Sequence, residues 1–287
     1  MSIKNFTRLA KNNLITLTIS IVLYNNIISE VEKLISDFLT SPVDLYIYVI
    51  DNSIKNNKVS FEGYKNLTYI YNNKNLGYGR AHNIGIRKAI NLNSKYHVVV
   101  NPDIRLDKNA ISQLVLLMDK NEGIGLSAPK VLYPSGELQF LCKLIPSPKN
   151  LIIRRFSLTK KTIQKNNEMY ELRDFDYNST IEIPYVSGCF MFFRTSVLKK
   201  LNGFDERFFL YFEDLDLTRR VGEICKIFFS HETFVYHVYN KESYRSSKLL
   251  FYHLISTIKY FNKWGWLFDE KRKEINKRTR LQIEIKK

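Results

Sequence analysis

The chain has few cysteines, no long apolar run and a shortage of acid. Only three cysteines occur, Cys142, Cys189 and Cys225, widely spaced and without a C-x-x-C pair. That spacing excludes a disulfide framework and a thiolate zinc site, and it fits a reducing cytoplasm. No run reaches the roughly 18–20 consecutive apolar residues that a membrane-spanning helix needs. Lys4, Arg8 and Lys11 precede an apolar stretch from Leu14 to Tyr24, but no small-residue cleavage site follows. Thr16, Thr18 and Ser20 alternate there with Leu17, Ile19 and Ile21, which describes a strand and not a signal peptide. Acids number 28 against 44 Lys and Arg, a net charge of +16. Such an excess implies polyanionic company: nucleic acid, an anionic membrane surface or nucleotide phosphates. At 287 residues, 45% apolar and 14% aromatic, the chain can bury a large core, and wholesale disorder is excluded.

The segment Val98-Val99-Val100-Asn101-Pro102-Asp103 organises the rest. Three β-branched residues entered from Tyr96-His97 read as a strand buried on both faces, as in a parallel sheet. Pro102 ends it and leaves Asn101 and Asp103 at its carboxyl edge, where ligands sit in open α/β sheets. Two hard oxygen donors there suit Mg²⁺ or Mn²⁺ carrying a diphosphate. Taken alone, an Asx-turn whose Asp caps a helix starting near Asn109 accounts for the same residues.

Before it, a strand from Leu14 to Tyr24 ends in Asn25-Asn26, and a helical stripe follows at Ile27, Val31, Leu34, Ile35 and Phe38. Leu45 to Ile50 forms a second strand ending at Asp51-Asn52-Ser53, Leu67 to Tyr71 a third, and Arg80 to Leu92 a helix. After Asp103 a stripe at Ile111, Leu114, Val115 and Met118 marks another helix. This order predicts right-handed crossovers and a parallel sheet covered on both faces. The loop Asn75-Leu76-Gly77-Tyr78-Gly79-Arg80 lies where a dinucleotide fingerprint would, but His82 occupies the third glycine position and no acid follows at the right distance. A tight loop with Arg80 at a helix N-terminus remains, either phosphate-facing or simply solvated.

The stretch from Cys142 to Pro184, with Pro146, Pro148 and a basic patch from Lys149 to Lys161, yields no assignment beyond loops. Order returns at Gly188-Cys189-Phe190, entering an apolar strand. The aromatic run Phe208 to Phe212 then leads into Glu213-Asp214-Leu215-Asp216 at a helix start. Three acids there complement the helix dipole, yet carboxylates behind an apolar wall are costly without a task, and one can serve as a general base. His237 lies in a strand-like run from Phe234, as a packed residue or as a ligand. The last stretch combines aromatics from Phe251 to Phe268 with basic residues from Lys271 to Lys287, which describes either an interfacial segment or a docking helix with a solvated tail.

In sequence order, strand-Asn25, strand-Asp51-Asn52-Ser53, Asn75-x-Gly77-x-Gly79-Arg80-Ala81-x-Asn83-x-Gly85, Asn101-Pro102-Asp103, Gly188-x-Phe190, Gly203-Phe204-Asp205-Glu206-x-Phe208-Phe209 and Glu213-Asp214-x-Asp216 resemble the family 2 glycosyltransferases. Within them the chain looks most like bacterial rhamnosyltransferases of surface-polysaccharide assembly. The resemblance runs from about Leu14 to His237. It implies a GT-A fold, a Rossmann-like, mostly parallel central sheet with helices on both faces. The GT-A domain would span 1–240, with a nucleotide-binding half at about 14–130 and an acceptor-binding half at about 131–240. A C-terminal helical, aromatic and basic membrane-proximal segment would span 241–287.

By that resemblance Asn25, Asp51, Asn75, Gly77, Arg80, Asn101 and Asp103 serve the nucleotide, and Gly188, Cys189 and Asp216 the acceptor. Asp103 and His237 would hold a divalent metal, Mg²⁺ or Mn²⁺. Asn101 stands where the family's first metal-motif acid is expected, so the site carries one charge less. Asp214 matches the catalytic base, with Glu213 as the alternative. The implied reaction is inverting transfer, from dTDP-L-rhamnose, to a glycan or lipid-linked acceptor in polysaccharide assembly. The implied place is the inner face of the cell membrane, peripherally bound. A nucleotidyltransferase would need a glycine-rich loop after the first strand, where Asn25-Asn26-Ile27-Ile28 stands instead. A nucleic-acid binder would concentrate its basic residues on one recognition element, and here they are spread, so nucleic acid is not expected as a partner.

Overall fold

The computed structural model describes residues 15–156, 159–238 and 247–285. The chain alternates β1 (Leu17–Leu23), α1 (Ile28–Leu39), β2 (Leu45–Asp51), β3 (Leu67–Tyr71), α2 (Tyr78–Asn91) and β4 (Tyr96–Val100). It continues through β5 (Ile104–Leu106), α3 (Ala110–Lys120), β6 (Ile124–Leu132), α4 (Pro148–Phe156), α5 (Lys160–Tyr170), β7 (Ile181–Glu182) and β8 (Phe190–Arg194). It closes with α6 (Thr195–Leu201), α7 (Glu213–Gly222), β9 (Lys226–His237), α8 (Ser247–Trp264) and α9 (Glu270–Ile285).

All the described strands join one sheet in the order β3-β2-β1-β4-β8-β6-β9-β5, with β7 on β9. The first four run parallel, in the expected crossover order. The second half departs from the all-parallel expectation: β8 enters antiparallel to both β4 and β6, and β5 and β7 run antiparallel to β9. Because β3 precedes β4 in sequence but lies on the far side of β1, the strand order reverses at β1/β4. Ligand crevices open outside the carboxyl ends of strands at such a point.

One face of the sheet packs on α1 and α3 through Val31, Leu34, Phe38, Ile111 and Leu114. The other packs on α2, α6 and α7 through Ile86, Val197, Leu198, Leu217 and Val221. The alternating hydroxyls of β1 do not meet water. Thr18 and Ser20 are fully buried and form a polar seam with two buried histidines. Thr18 Oγ1 lies 2.8 Å from His97 Nδ1, and Ser20 Oγ lies 3.0 Å from His97 Nε2 and 2.7 Å from His82 Nδ1. Burial pushes His97 down to about 3 and His82 well below the usual histidine range, so both are kept uncharged.

The stretch left as loops contains α4, α5 and β7. Ser147 Oγ accepts the Asn150 amide hydrogen at 3.2 Å, capping α4, and Pro148 occupies the first helical position, where its missing N–H costs nothing. The side chains of 154–158 lie outside the described residues, so the centre of the basic patch is not placed.

The C-terminal helices dock on the body. Tyr260 and Phe261 of α8 are fully buried with Phe208, Phe212 and Leu215. Arg219 of α7 makes a two-point ion pair with Asp269 at 2.6 and 2.7 Å, and its guanidinium lies 4.2 Å from the ring centroid of Trp264. Ile283 of α9 is fully buried in the core formed with α2, α6 and α7. Five of the tail's basic residues are engaged by acids of the chain: Lys271 by Glu223, Arg272 by Asp269, Lys273 by Glu270, Arg278 by Glu182 and Arg280 by Asp174. Lys271, Lys273 and Arg278 are more than half exposed, so the tail lies along the body while these charges still face water. Lys286 and Lys287, and the division expected near residue 240, fall outside the described residues.

Candidate active site

The nucleotide-side residues gather along one edge, the carboxyl ends of β1, β2 and β4 and the loop before α2. Asn25 adopts a left-handed backbone with φ of 57° and donates its amide to Ser53 Oγ at 2.8 Å. Asp51 is fully buried, accepting from the Ser53 amide at 2.8 Å, Asn57 Nδ2 at 2.9 Å and the Tyr69 hydroxyl at 2.7 Å. Asn75 Oδ1 accepts the Gly77 amide at 2.9 Å. Gly77 has φ of 84°, and a Cβ there would stand 2.3 Å from the Phe209 carbonyl oxygen, so only glycine admits this contact between loops. Arg80 is more exposed than the resemblance implies: its side chain projects from α2, with Nε 3.4 Å from Glu206. Such a surface pair is weak and readily exchanged.

Asn83, Gly203 and Phe204 clasp α2 to the loop preceding α7. Asn83 Oδ1 accepts the Phe204 amide at 2.8 Å and Asn83 Nδ2 donates to the Phe204 carbonyl at 2.9 Å.

The β4 exit brings the proposed metal residues together. The Asn101 amide donates to the Cys189 carbonyl at 2.9 Å. Asp103 caps no helix; the Asx-turn before α3 is made by Asp107, whose Oδ2 accepts the Asn109 amide at 3.0 Å. Pairing of β5 with β9 sets Ile104 opposite His237. His237 Nε2 then stands 3.5 Å from Asp103 Oδ1, a buried oxygen with no hydrogen-bond partner among the described residues. An orphaned carboxylate oxygen facing an imidazole nitrogen fits a cation, and the mixed N/O pair suits Mn²⁺ better than Mg²⁺. Among the described residues no cluster of three or more His, Cys, Asp or Glu forms, so the protein would supply only part of the coordination.

The acid cluster opens α7 after a strained turn. Tyr211 and Phe212 take φ of 68° and 66°, two consecutive non-glycine residues in the left-handed region, which costs about 1–3 kcal/mol each and is characteristic of functional sites. Asp214 Oδ2 accepts from the Tyr185 hydroxyl at 2.9 Å and from the Gly188 amide at 2.8 Å. Tyr78 donates in turn to the Gly188 carbonyl. A Cβ at Gly188 would press on Asp214 at 3.3 Å, so glycine permits this approach. Glu213 is 4% exposed and its Oε2 has no hydrogen-bond partner among the described residues. Burial, reinforced by the charge of Asp214, pushes its carboxyl up to about 8.

Both groups line a single cavity of about 400 Å³. Asp214, Glu213, Tyr185, Ser187, His237 and Gln139 form its polar end. Leu151 and Ile152 of α4 and Leu250, Leu254 and Phe261 of α8 form its apolar end. Two residues expected at the acceptor are elsewhere. Asp216 is fully buried, its carboxylate taken by Arg220 Nε at 2.9 Å, Lys263 Nζ at 2.7 Å and Trp264 Nε1 at 2.8 Å, which pins α8 to α7. Cys189 lies beneath the cavity, 4% exposed, its thiol pushed up to about 12 by burial. Ser187 lines the cavity in its stead. Sequence reasoning missed Tyr185 as the partner of Asp214 and Gln139 as the partner of His237.

A half-parallel sheet with metal-suited groups at a β4 exit and a carboxylate pair in an adjoining cavity is the architecture of a GT-A glycosyltransferase. The glycosyl transferase family 2 model matches residues 18–201, and the chain belongs to that family. It is 24% identical over 173 residues to the low-salt glycan biosynthesis hexosyltransferase Agl10 of Haloferax volcanii, covering 60% of this chain and 52% of that protein. It is 25% identical over 176 residues to the N-acetylglucosaminyl-diphospho-decaprenol L-rhamnosyltransferase of Mycobacterium tuberculosis, covering 58% and 56%. The alignments thus span about half the length of these curated relatives. Among solved structures, GalNAc-T7 with UDP, GalNAc and Mn²⁺ superposes with a TM-score of 0.58 at 16% identity, over 79% of this chain and 44% of that one. At that identity the likeness concerns the fold.

Proposed function

We propose that the protein is an inverting glycosyltransferase that moves a sugar from a nucleotide donor to a hydroxyl of a lipid-linked glycan in cell-surface polysaccharide assembly. The observation that carries this reading is the differentiated acid pair. Asp214 sits in the cavity wall with donors fixed on one oxygen, while its neighbour Glu213 holds its proton to about 8. A carboxylate fixed by donors in a cavity wall can take the proton of a hydroxyl placed there, and burial favours the neutral form of its neighbour.

The acceptor hydroxyl, placed in the cavity, loses its proton to Asp214 as its oxygen forms a bond to C1 of the donor sugar. The bond from C1 to the diphosphate oxygen breaks on the opposite face, and the nucleotide diphosphate leaves with the electron pair. Configuration at C1 inverts in this single displacement. Tyr185 and the Gly188 amide hold Asp214 in place for that transfer. Asp103 and His237 would hold a divalent ion, which when bound supplies charge stabilisation to the departing diphosphate. Arg80, freed from its exposed pair with Glu206, adds positive charge from the start of α2.

The L-rhamnosyltransferase relative supports L-rhamnose as the sugar moved and a diphospho-polyprenol glycan as acceptor, and dTDP as its carrier is part of the proposal. The apolar end of the cavity, between α4 and α8, fits an acceptor that carries lipid. Among the described residues no helix is long and apolar enough to cross a membrane. Phe251, Leu254 and Ile258 form an exposed apolar stripe on α8, and Ile152, Leu267 and Phe268 are exposed as well. These suit peripheral contact with a bilayer. A donor panel of UDP-, GDP- and dTDP-sugars with a polyprenyl-diphosphate glycan acceptor tests the reading. Transfer confined to a dTDP-deoxyhexose is expected, and a clear UDP-hexose preference overturns the donor assignment.

A further inference from the structure

Gln139 touches His237 at two points. Its amide nitrogen donates to the His237 carbonyl oxygen at 2.7 Å, and its amide oxygen lies 3.0 Å from Nδ1. Gln139 is 3% exposed and sits on the strand-like segment following β6, so it is held in this pose. The first contact decides the second. A carbonyl can only accept, so the NH₂ end of the amide must face it, and the oxygen end must face the ring. An amide oxygen also only accepts, so Nδ1 must carry the ring hydrogen. In an imidazole with one proton, Nε2 then keeps its lone pair, and Nε2 is the atom that stands 3.5 Å from Asp103 Oδ1.

With the ring in that one-proton form, two acceptors face one another. One is the buried carboxylate oxygen for which the described residues provide no hydrogen-bond donor. Opposed lone pairs at this separation repel, and a cation shared by both converts the repulsion into binding. Ligating histidines are usually oriented in this way, by an acceptor on the far nitrogen.

We propose that Gln139 is a positioning residue that fixes His237 in the Nδ1–H tautomer and presents Nε2 to a divalent cation shared with Asp103. This rests on the reading of Asp103 and His237 as metal ligands. It adds that the affinity of the pair depends on a neutral amide that never touches the ion.

The test has a readout that needs neither metal nor substrate. The chain has five histidines, so ¹⁵N-histidine labelling gives a short list of ring signals, with His237 assigned by its loss in His237→Gln. Two-bond proton–nitrogen spectra are expected to show His237 as the Nδ1–H form in the metal-free wild type. Gln139→Leu, which removes the acceptor facing Nδ1, is expected to move it toward the Nε2–H form. Mn²⁺ alone is then titrated into each protein. Gln139→Leu is expected to weaken binding by about 10–100-fold. Far-UV circular dichroism on each variant confirms folding. An Nε2–H tautomer or a doubly protonated ring in the wild type overturns the proposal. So does unchanged Mn²⁺ affinity in Gln139→Leu when His237→Ala has lost it. If His237→Ala binds Mn²⁺ as the wild type does, the ligand reading itself falls, whichever tautomer is seen.

Discussion

Glu213 and Asp214 are adjacent in the chain yet meet opposite surroundings. Asp214 receives the Tyr185 hydroxyl and the Gly188 amide on one oxygen, whereas Glu213 is buried with an oxygen that no donor among the described residues reaches. Burial and the adjacent Asp214 charge raise the proton affinity of Glu213, which favours its neutral form. Glu213→Gln is therefore expected to keep kcat within about tenfold, because it replaces one neutral hydrogen-bonding group by another. Ionisation of Glu213 puts a second negative charge beside the base, so wild-type activity should fall above pH 8 and the variant should lose that limb. The pH profiles of kcat for both proteins check this.

The same group predicts a stability trend. Its folded-state proton affinity lies above the ordinary carboxyl value of 4.5, so the folded form is favoured at low pH, and the benefit is lost as pH rises from about 4.5 to 8. The histidine seam has the opposite sign. With His97 pushed down to about 3 and His82 also lowered, the unfolded chain takes up protons first. Their contribution is full above the ordinary histidine value of 6.5 and is lost as pH falls from there toward 3. Melting temperatures should thus decline on the acid side below about 6.5, and less steeply in His97→Gln. As pH rises from about 4.5 to 8, Glu213→Gln should gain on the wild type.

The buried pair of Arg219 and Asp269 is expected to hold the C-terminal helices in place. Both side chains are 3% exposed, and Arg219 also lies against Trp264. Asp269→Ala leaves that guanidinium buried beside the Trp264 ring without its carboxylate, and should cost about 3–5 kcal/mol. Lys271→Ala removes an ion pair whose lysine is 71% exposed and should cost no more than about 1 kcal/mol. Urea unfolding of the two variants distinguishes a clasp from a loose tail.

Membrane contact is expected to depend on apolar groups more than on charge, because Phe251, Leu254, Ile258, Leu267 and Phe268 are exposed while neighbouring acids offset the charge of five of the tail's basic residues. Replacing Phe251, Leu254 and Ile258 together by serine should abolish co-sedimentation with vesicles while leaving the fold intact, since these side chains are exposed. Binding of the wild type should fall only gently with salt. A steep salt dependence that survives the triple substitution would return the role to the tail.

Much of the nucleotide half was legible because buried parallel strands are written as unbroken apolar runs. Val98 to Val100 and Leu45 to Ile50 mark β4 and β2, and the polar residues after them mark the edge. The direction of β8 was not legible, since the run Phe190 to Phe193 pairs equally well either way until its neighbours are known. Helix α4 carried a readable start in Ser147-Pro148, masked by basic residues on a short amphipathic stretch. Asp216 looked like a site acid because its partners, Lys263 and Trp264, lie far along the chain on a helix whose docking no local pattern predicts. Gln139 and Tyr185 act through long-range hydrogen bonds, which leave no periodic trace.

The central claim is that Asp214 takes a proton from an acceptor while the nucleotide is held elsewhere. The most direct measurement compares wild type and Asp214→Asn for release of nucleotide diphosphate from the preferred donor, with acceptor present, alongside calorimetric binding of that nucleotide diphosphate with Mn²⁺. The variant is expected to lose transfer by about 10²–10⁴-fold while binding the nucleotide within about threefold of wild type. Near-native turnover in Asp214→Asn, with turnover lost in Glu213→Gln, would contradict the account and move the base to the neighbouring residue.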